Sequence, residues 1–247
     1  MATGRDVHKR PSRGAPWAGF EPGPADRPVP AWLRPTTGEH RLPIIVAILV
    51  VVGAQLIVRP KYGLHPRWLA PVLEVLLLAV LTVLNPVRMT RASRLGKFLS
   101  LAMVAAITVD NVVSATLLDA AIVRGKVGSD AVALLSSGAA IYVTNVIAFG
   151  FWFWEIDRGG PFARASGITP HPDFLFPQMI SPHFAPDDWE PLFLDYLYVS
   201  FTNAVAFSPT DTMPLSRKVK SLMTVQSAVA LSTTALVVAR AVNILKS

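Results

Sequence analysis

Apolar residues along this chain are gathered into long blocks, not spread at the two-residue or three-to-four-residue spacing of half-buried soluble elements. A hydrocarbon layer ~30 Å thick needs ~20 helical residues, with a range of about 17 to 25. Five blocks meet that length. The first, Leu42 to Val58, is apolar except at Gln55 and stops at Arg59-Pro60. The second, Trp68 to Leu84, carries one acid, Glu74, and ends at Asn85-Pro86. The third, Phe98 to Val123, contains Asp110, Asn111 and Asp119. The fourth, Ala131 to Trp154, opens with Ser136, Ser137, Gly138, Ala139 and Ala140 and closes with Phe149, Phe151, Trp152, Phe153 and Trp154. Those aromatics read as an interfacial belt, with Glu155, Asp157 and Arg158 beyond it in water. The fifth, Leu222 to Leu245, is rich in Val, Ala, Ser and Thr.

The segments between the blocks have other characters. Residues 1–41 hold seven prolines and seven basic residues, too little apolar surface to fold alone, and read as a disordered tail retained in the mature chain. Within it Trp17, Phe20 and Trp32 are expected at the lipid interface or against the body of the protein. Residues 155–190 are proline-rich, carry Asp173, Asp187, Asp188 and Glu190, and form an extramembrane loop longer than a connector needs. Leu192 to Phe207 is apolar but short and interrupted by Asp195 and Asn203, which suits a re-entrant half-helix better than a span. The pattern therefore predicts an all-α, polytopic membrane protein with five transmembrane helices and one re-entrant half-helix. Its parts are a tail (1–41), a four-helix transmembrane region (42–154), an extramembrane loop (155–190), and a hairpin with the last span (191–247).

Composition agrees with that picture. Of 247 residues, 52% are hydrophobic and 16% charged, against roughly 25% charged in soluble domains, and the mean hydropathy is +0.45. The net charge of +7 fits loops facing anionic lipid, so the lipid bilayer is the expected partner and nucleic acid is not. The expected location is the plasma membrane, crossed several times. Twelve basic residues flank the spans on the amino-terminal side and seven on the other, which favours a cytoplasmic amino terminus. The absence of cysteine excludes disulfides, thiolate metal sites and cysteine nucleophiles.

Candidate chemistry is sparse. Glu74, Asp110 and Asp119 are acids inside apolar blocks, where a carboxylate costs several kcal/mol unless it is paired, roughly 2.5 to 3.5 for Asp on insertion scales. Asp110, with Asn111 beside it, sits mid-span, and Thr108, Ser114, Thr144 and Asn145 are available partners. A proton or cation relay and a hydrogen-bonded lock between helices are both open for it. His171, Asp173, His183, Asp187, Asp188 and Glu190 match no zinc or calcium spacing, and neither a metal nor a cofactor is expected. No nucleophile elbow, phosphate loop or zinc-protease motif occurs, so an enzyme is not expected. Gln226, Ser227, Ser232, Thr233 and Thr234 in the fifth block either line a wet path or fasten that helix to its neighbours.

Residues 195–220 read Asp-Tyr-Leu-Tyr-Val-Ser-Phe-Thr-Asn-Ala-Val-Ala-Phe-Ser-Pro-Thr-Asp-Thr-Met-Pro-Leu-Ser-Arg-Lys-Val-Lys. This stretch resembles the pore module of tetrameric potassium channels. Asp195, Leu197, Tyr198, Ser200 and Phe201 fall on that family's pore-helix positions, and Asp211, Pro214, Leu215 and Arg217 on those leading into its inner helix. Where the family has T-V-G-Y-G, this chain has Ala206-Phe207-Ser208-Pro209-Thr210, and no glycine follows Gly167. The resemblance implies a channel-like, cation-conducting homo-oligomer, a tetramer, without the usual potassium filter. Ser208, Thr210 and Asp211 would line its constriction, and Asp211 would favour monovalent cations by charge. A family-like pore places its mouth, and hence this tail, outside, opposite to the charge count. A non-conducting membrane scaffold or envelope-interaction protein keeping the same module for packing is the alternative.

The whole chain is also similar to a family of uncharacterised actinobacterial integral-membrane proteins. The similarity rests on Ala15-Pro16-Trp17, on Pro30 to Arg41, on Trp154-Glu155-Ile156-Asp157-Arg158-Gly159-Gly160-Pro161, on Pro172 to Met179 and on Asp195 to Arg217. It implies a membrane location.

Overall fold

The computed structural model describes residues 30–84, 94–167, 171–206 and 211–246. In chain order these form α1 (Leu42–Ile57), α2 (Leu69–Leu84), α3 (Arg94–Val123), α4 (Ala131–Ile156), α5 (Pro161–Ala165), β1 (Phe174–Leu175), α6 (Pro177–Ile180), α7 (Phe193–Ala206), β2 (Met213–Pro214) and α8 (Arg217–Lys246). Among the described residues the protein is all-α apart from one antiparallel pair, in which Phe174 faces Pro214 and Leu175 faces Met213.

Helices α3, α4 and α8 have 30, 26 and 30 residues and are long and apolar enough to cross a membrane. This is the length signature of an integral membrane protein. Helices α1 and α2 are apolar too, but have 16 residues each, about 24 Å at 1.5 Å per residue.

Helix α4 is the central pillar and packs against α1, α3, α7 and α8. Two glycines let its neighbours close in. A Cβ at Gly138 would lie 2.8 Å from Cγ1 of Val237 on α8, and one at Gly150 would lie 3.2 Å from Cα of Leu197 on α7. Small residues at such crossings replace the hydrophobic drive that lipid cannot supply. The aromatic group at the end of α4 turns inward and does not form a lipid-facing belt. Phe149, Phe151, Phe153 and Trp154 are buried, with Phe151 stacked on Phe193 at 4.7 Å and Phe153 edge-on to Phe174 at 5.2 Å. They face inward because α7 and β1 cover that end of α4.

Local chemistry fixes the helix ends. Asp130 caps α4, its carboxylate accepting the Ala133 N–H at 3.0 Å, and it also pairs with Arg59 at 2.6 Å. Arg41, just before α1, donates to the carbonyl of Leu81 in the last turn of α2, a group with no partner inside its own helix.

Candidate functional site

The hairpin singled out in the sequence is built around α7. Its first turn is held by Asp195, whose carboxylate accepts the Leu192 N–H at 2.8 Å, and a carboxylate there also suits the helix dipole. Phe193 lies beside the end of α4, edge-on to Trp154 at 6.0 Å. From there α7 runs antiparallel to α4, passing Gly150 at Leu197 and reaching Val146 at Ser200, whose hydroxyl donates to the Val146 carbonyl at 2.6 Å. On its other side lies α8. Gln226 donates to the Ser200 carbonyl at 2.9 Å and to its hydroxyl at 2.7 Å, and accepts from Asn203 at 2.8 Å. Ser227 donates to the Asn203 carbonyl at 3.1 Å. Gln226, Ser227, Ser232 and Thr233 thus fasten α8 to its neighbours, the last two through Asp119 on α3 at 3.0 and 3.3 Å. By Met213 the chain is back beside β1, where Leu215 N–H donates to the Asp173 carbonyl at 2.8 Å. Of the three constriction candidates, Asp211 is exposed, while Ser208 and Thr210 lie outside the described residues.

The mouth of this hairpin carries a polar cluster that composition did not reveal. Glu155, Asp157 and Arg158 are buried rather than in water, because the loop after α4 folds back over them. Arg158 has φ of +52° and is followed by Gly159 at +83° and Gly160 at +98°, a left-handed turn that favours glycine. A Cβ at Gly160 would lie 3.1 Å from the Glu155 carbonyl oxygen. Asp157 then accepts three hydrogen bonds: from the Asp173 and Phe174 amides at 2.7 and 3.2 Å on Oδ1, and from the Tyr196 hydroxyl at 2.6 Å on Oδ2. Arg158 donates its amide to Asp173 at 3.2 Å and its guanidinium to the Trp32 carbonyl. Arg164 donates to the carbonyls of Trp154 at 2.6 Å and Asp157 at 3.0 Å, and Glu155 accepts from Ser100.

The amino-terminal segment completes this cap. Residues 30–41 depart from the disordered reading of 1–41; the rest of that stretch, with Trp17 and Phe20, lies outside the described residues. Trp32 packs against the core, and Thr36 N–H donates to the Ala165 carbonyl at 2.8 Å. Glu39 accepts the Trp154 indole N–H at 2.7 Å and the Phe193 amide. Burial pushes the Glu39 carboxyl above the ordinary glutamate value, and these two hydrogen bonds and the nearby Arg164 guanidinium partly offset that. The signal was present in the Trp154-to-Pro161 stretch, where charges sit next to a Gly-Gly-Pro turn.

Glu74 and Asp110 form a second group. Gln55 on α1 donates to Glu74 Oε1 at 2.7 Å and lines a cavity together with Asp110 on α3. Of the partners expected for Asp110, Ser114 lines a cavity with it. Thr108 instead donates to the Val104 carbonyl and accepts from Trp152, and Asn145 reaches Asn111 at 3.5 Å. Asn111 donates to the Ile141 carbonyl at 2.7 Å. The loop acids and histidines do not converge: among the described residues no three His, Asp or Glu side chains could share a metal ion.

Comparison of the chain with family models, with curated proteins and with solved structures gives no match.

Proposed function

We propose that this chain is a subunit of a channel-like membrane oligomer, with α4, α7 and α8 as its pore module. The observation that carries this reading is the course of the hairpin. The chain starts level with Trp154, reaches Val146 eight residues back along α4, about 12 Å deeper at 1.5 Å per residue, and returns to β1 beside Asp157 before α8 begins. That out-and-back course supports a re-entrant half-helix between an outer and an inner helix, the arrangement the sequence likeness to potassium-channel pores implies. In this reading α1 and α2 are the two short members of five spans, in the plasma membrane.

Asp211 stands exposed where the hairpin returns, and in a symmetric oligomer, a tetramer if the likeness holds, it supplies a ring of carboxylates that draws in monovalent cations. Within one chain Ser200, Asn203 and Gln226 bond to one another, so the conducting axis lies between chains. The same internal pairing favours the competing reading, a non-conducting scaffold whose hairpin serves packing alone.

Cation flux into proteoliposomes, measured beside the oligomeric mass in detergent, separates the two. Flux from an oligomer that Asp211→Asn lowers several-fold at low salt, and less at high salt where the charge is screened, supports the pore. A monomer without flux supports the scaffold.

A further inference from the structure

Glu74 is fully buried in α2, and Asp110, on α3, is 8% exposed. Gln55 on α1 lies beside both. Its NH2 group donates to Glu74 Oε1 at 2.7 Å, and it lines one cavity together with Asp110. Gln55 is itself 8% exposed. Glu74 Oε2 and Gln55 Oε1 are buried without a hydrogen-bond partner among the described residues.

Every element around this trio contributes little charge. α1 has no ionisable residue, α2 has only Glu74, α4 has Tyr142 and, in its last turn, Glu155, and α3 adds Arg94, Lys97 and Asp119 to Asp110. Nearby, α3 offers Asn111 and Ser114 beside Asp110. The α1–α2 connection brings Arg59 and Arg67 to a cavity of about 20 Å³, which Gln55, Asp110, Ser114 and Pro71 also line. That volume holds one water molecule. Arg59 is paired with Asp130 at 2.6 Å and Arg67 donates to the Leu56 carbonyl. Two carboxylates beside one amide in an apolar interior are too costly as two anions, and such groups neutralise instead.

We propose that Glu74 and Asp110, with Gln55 beside both, form a proton-binding site loaded through the cavity beneath the α1–α2 connection. A proton supplies one O–H where two buried oxygens lack a donor, and it removes one of two like charges. A metal ion fits less well, because the Gln55 amide already presents an N–H, not an oxygen, to Glu74. The site shares no residue with α7 or α8 and stands whether or not the hairpin conducts.

Two measurements on the full-length protein in lipid test this. Infrared spectroscopy near neutral pH should show a protonated carboxylic C=O band that vanishes in the double variant Glu74→Gln, Asp110→Asn. An apolar carbodiimide, which takes the proton of a carboxylic acid and is then attacked by its oxygen, should modify Glu74 or Asp110, to an extent that falls as pH rises and is the same in sodium, potassium or choline salts. Absence of the infrared band overturns the proposal whatever the reagent does. Suppression of the carbodiimide adduct by sodium or potassium at fixed pH overturns it as well, since the ligand would then be a metal cation.

Discussion

The Tyr196 hydroxyl donates to Oδ2 of Asp157 at 2.6 Å, and both residues are fully buried. This bond ties the first turn of α7 to the chain that leaves α4. Tyr196→Phe removes it while keeping the ring that meets Phe174 and Phe176. A hydrogen bond to a charged acceptor contributes about 1.5 to 3 kcal/mol, so thermal unfolding in detergent should show a loss of that size. Asp157→Ala leaves three donors, two of them buried, without this acceptor and should cost more than Asp157→Asn, which keeps an oxygen for the Asp173 and Phe174 amides. Equal losses for those two variants would mean that the cap does not depend on this carboxylate.

Glycines on α1 and α4 separate propensity from packing. Gly53 has nothing within 4 Å of where its Cβ would be, whereas at Gly150 the Cβ would lie 3.2 Å from the backbone of Leu197. Gly53→Ala should therefore be neutral or stabilise by up to about 1 kcal/mol, the usual helix preference of Ala over Gly. Gly150→Ala should destabilise by about 1 to 3 kcal/mol, because α7 must shift to admit the methyl group. If the hairpin conducts, Gly150→Ala should lower flux as well, and an unchanged protein would show that α7 does not seat on Gly150.

The helices were legible because lipid demands length and apolarity above all. The block Leu42 to Val58 became α1, Leu42–Ile57, and Leu192 to Phe207 became α7, Phe193–Ala206. Glu74 and Asp110 stood out because acids in such blocks are rare. Their meeting beside Gln55 was not legible, since nothing in the spacing says which helices adjoin. The cap was misread for a related reason. Glu155, Asp157 and Arg158 look like solvated charge by residue type, and only the fold-back onto Trp32, Asp173 and Tyr196 buries them. Equally, an aromatic cluster at a helix end has the same composition whether it faces headgroups or, as here, Phe174 and Phe193.

Glu39 gives the cap a pH dependence with a definite sign. Its carboxyl is pushed above the ordinary glutamate value of 4.5 by burial. From that value up to the raised one, the folded protein holds a proton that the unfolded chain has released. Stability contributed by this group therefore falls as pH rises through the window and is flat above it. The unfolding midpoint of the wild type, relative to Glu39→Gln, should drop as pH rises above the ordinary glutamate value of 4.5. Parallel curves would mean that Glu39 titrates alike in both states.

Gln226 makes three hydrogen bonds within the α7–α8 contact and is fully buried. Gln226→Leu keeps the volume but leaves Ser200 and Asn203 short of a partner. Interhelical hydrogen bonds in membranes contribute on average about 0.6 and at most about 1.7 kcal/mol each, so the expected loss is about 1 to 3 kcal/mol. Double-mutant analysis with Ser200→Ala should give non-additive losses, because the two side chains share a bond. Additive losses would place the contribution of Gln226 elsewhere.

The chain has no cysteine, which lets one introduced thiol report on access to the cavity. Ser114 is 3% exposed and lines that cavity with Asp110, while Ser200 is equally hidden but sits between α4 and α8, away from it. Burial alone predicts that Ser114→Cys and Ser200→Cys resist reagents alike. A water-sized route from the α1–α2 connection predicts otherwise: silver ion, which binds thiolates and is close to water in size, should block the first thiol and spare the second. Free thiol is counted after unfolding, and vesicles of known orientation show the side of entry. Blocking should occur only from the side that carries Arg59 and Arg67. Equal protection of both thiols would close the route by which Glu74 and Asp110 exchange a proton with solvent.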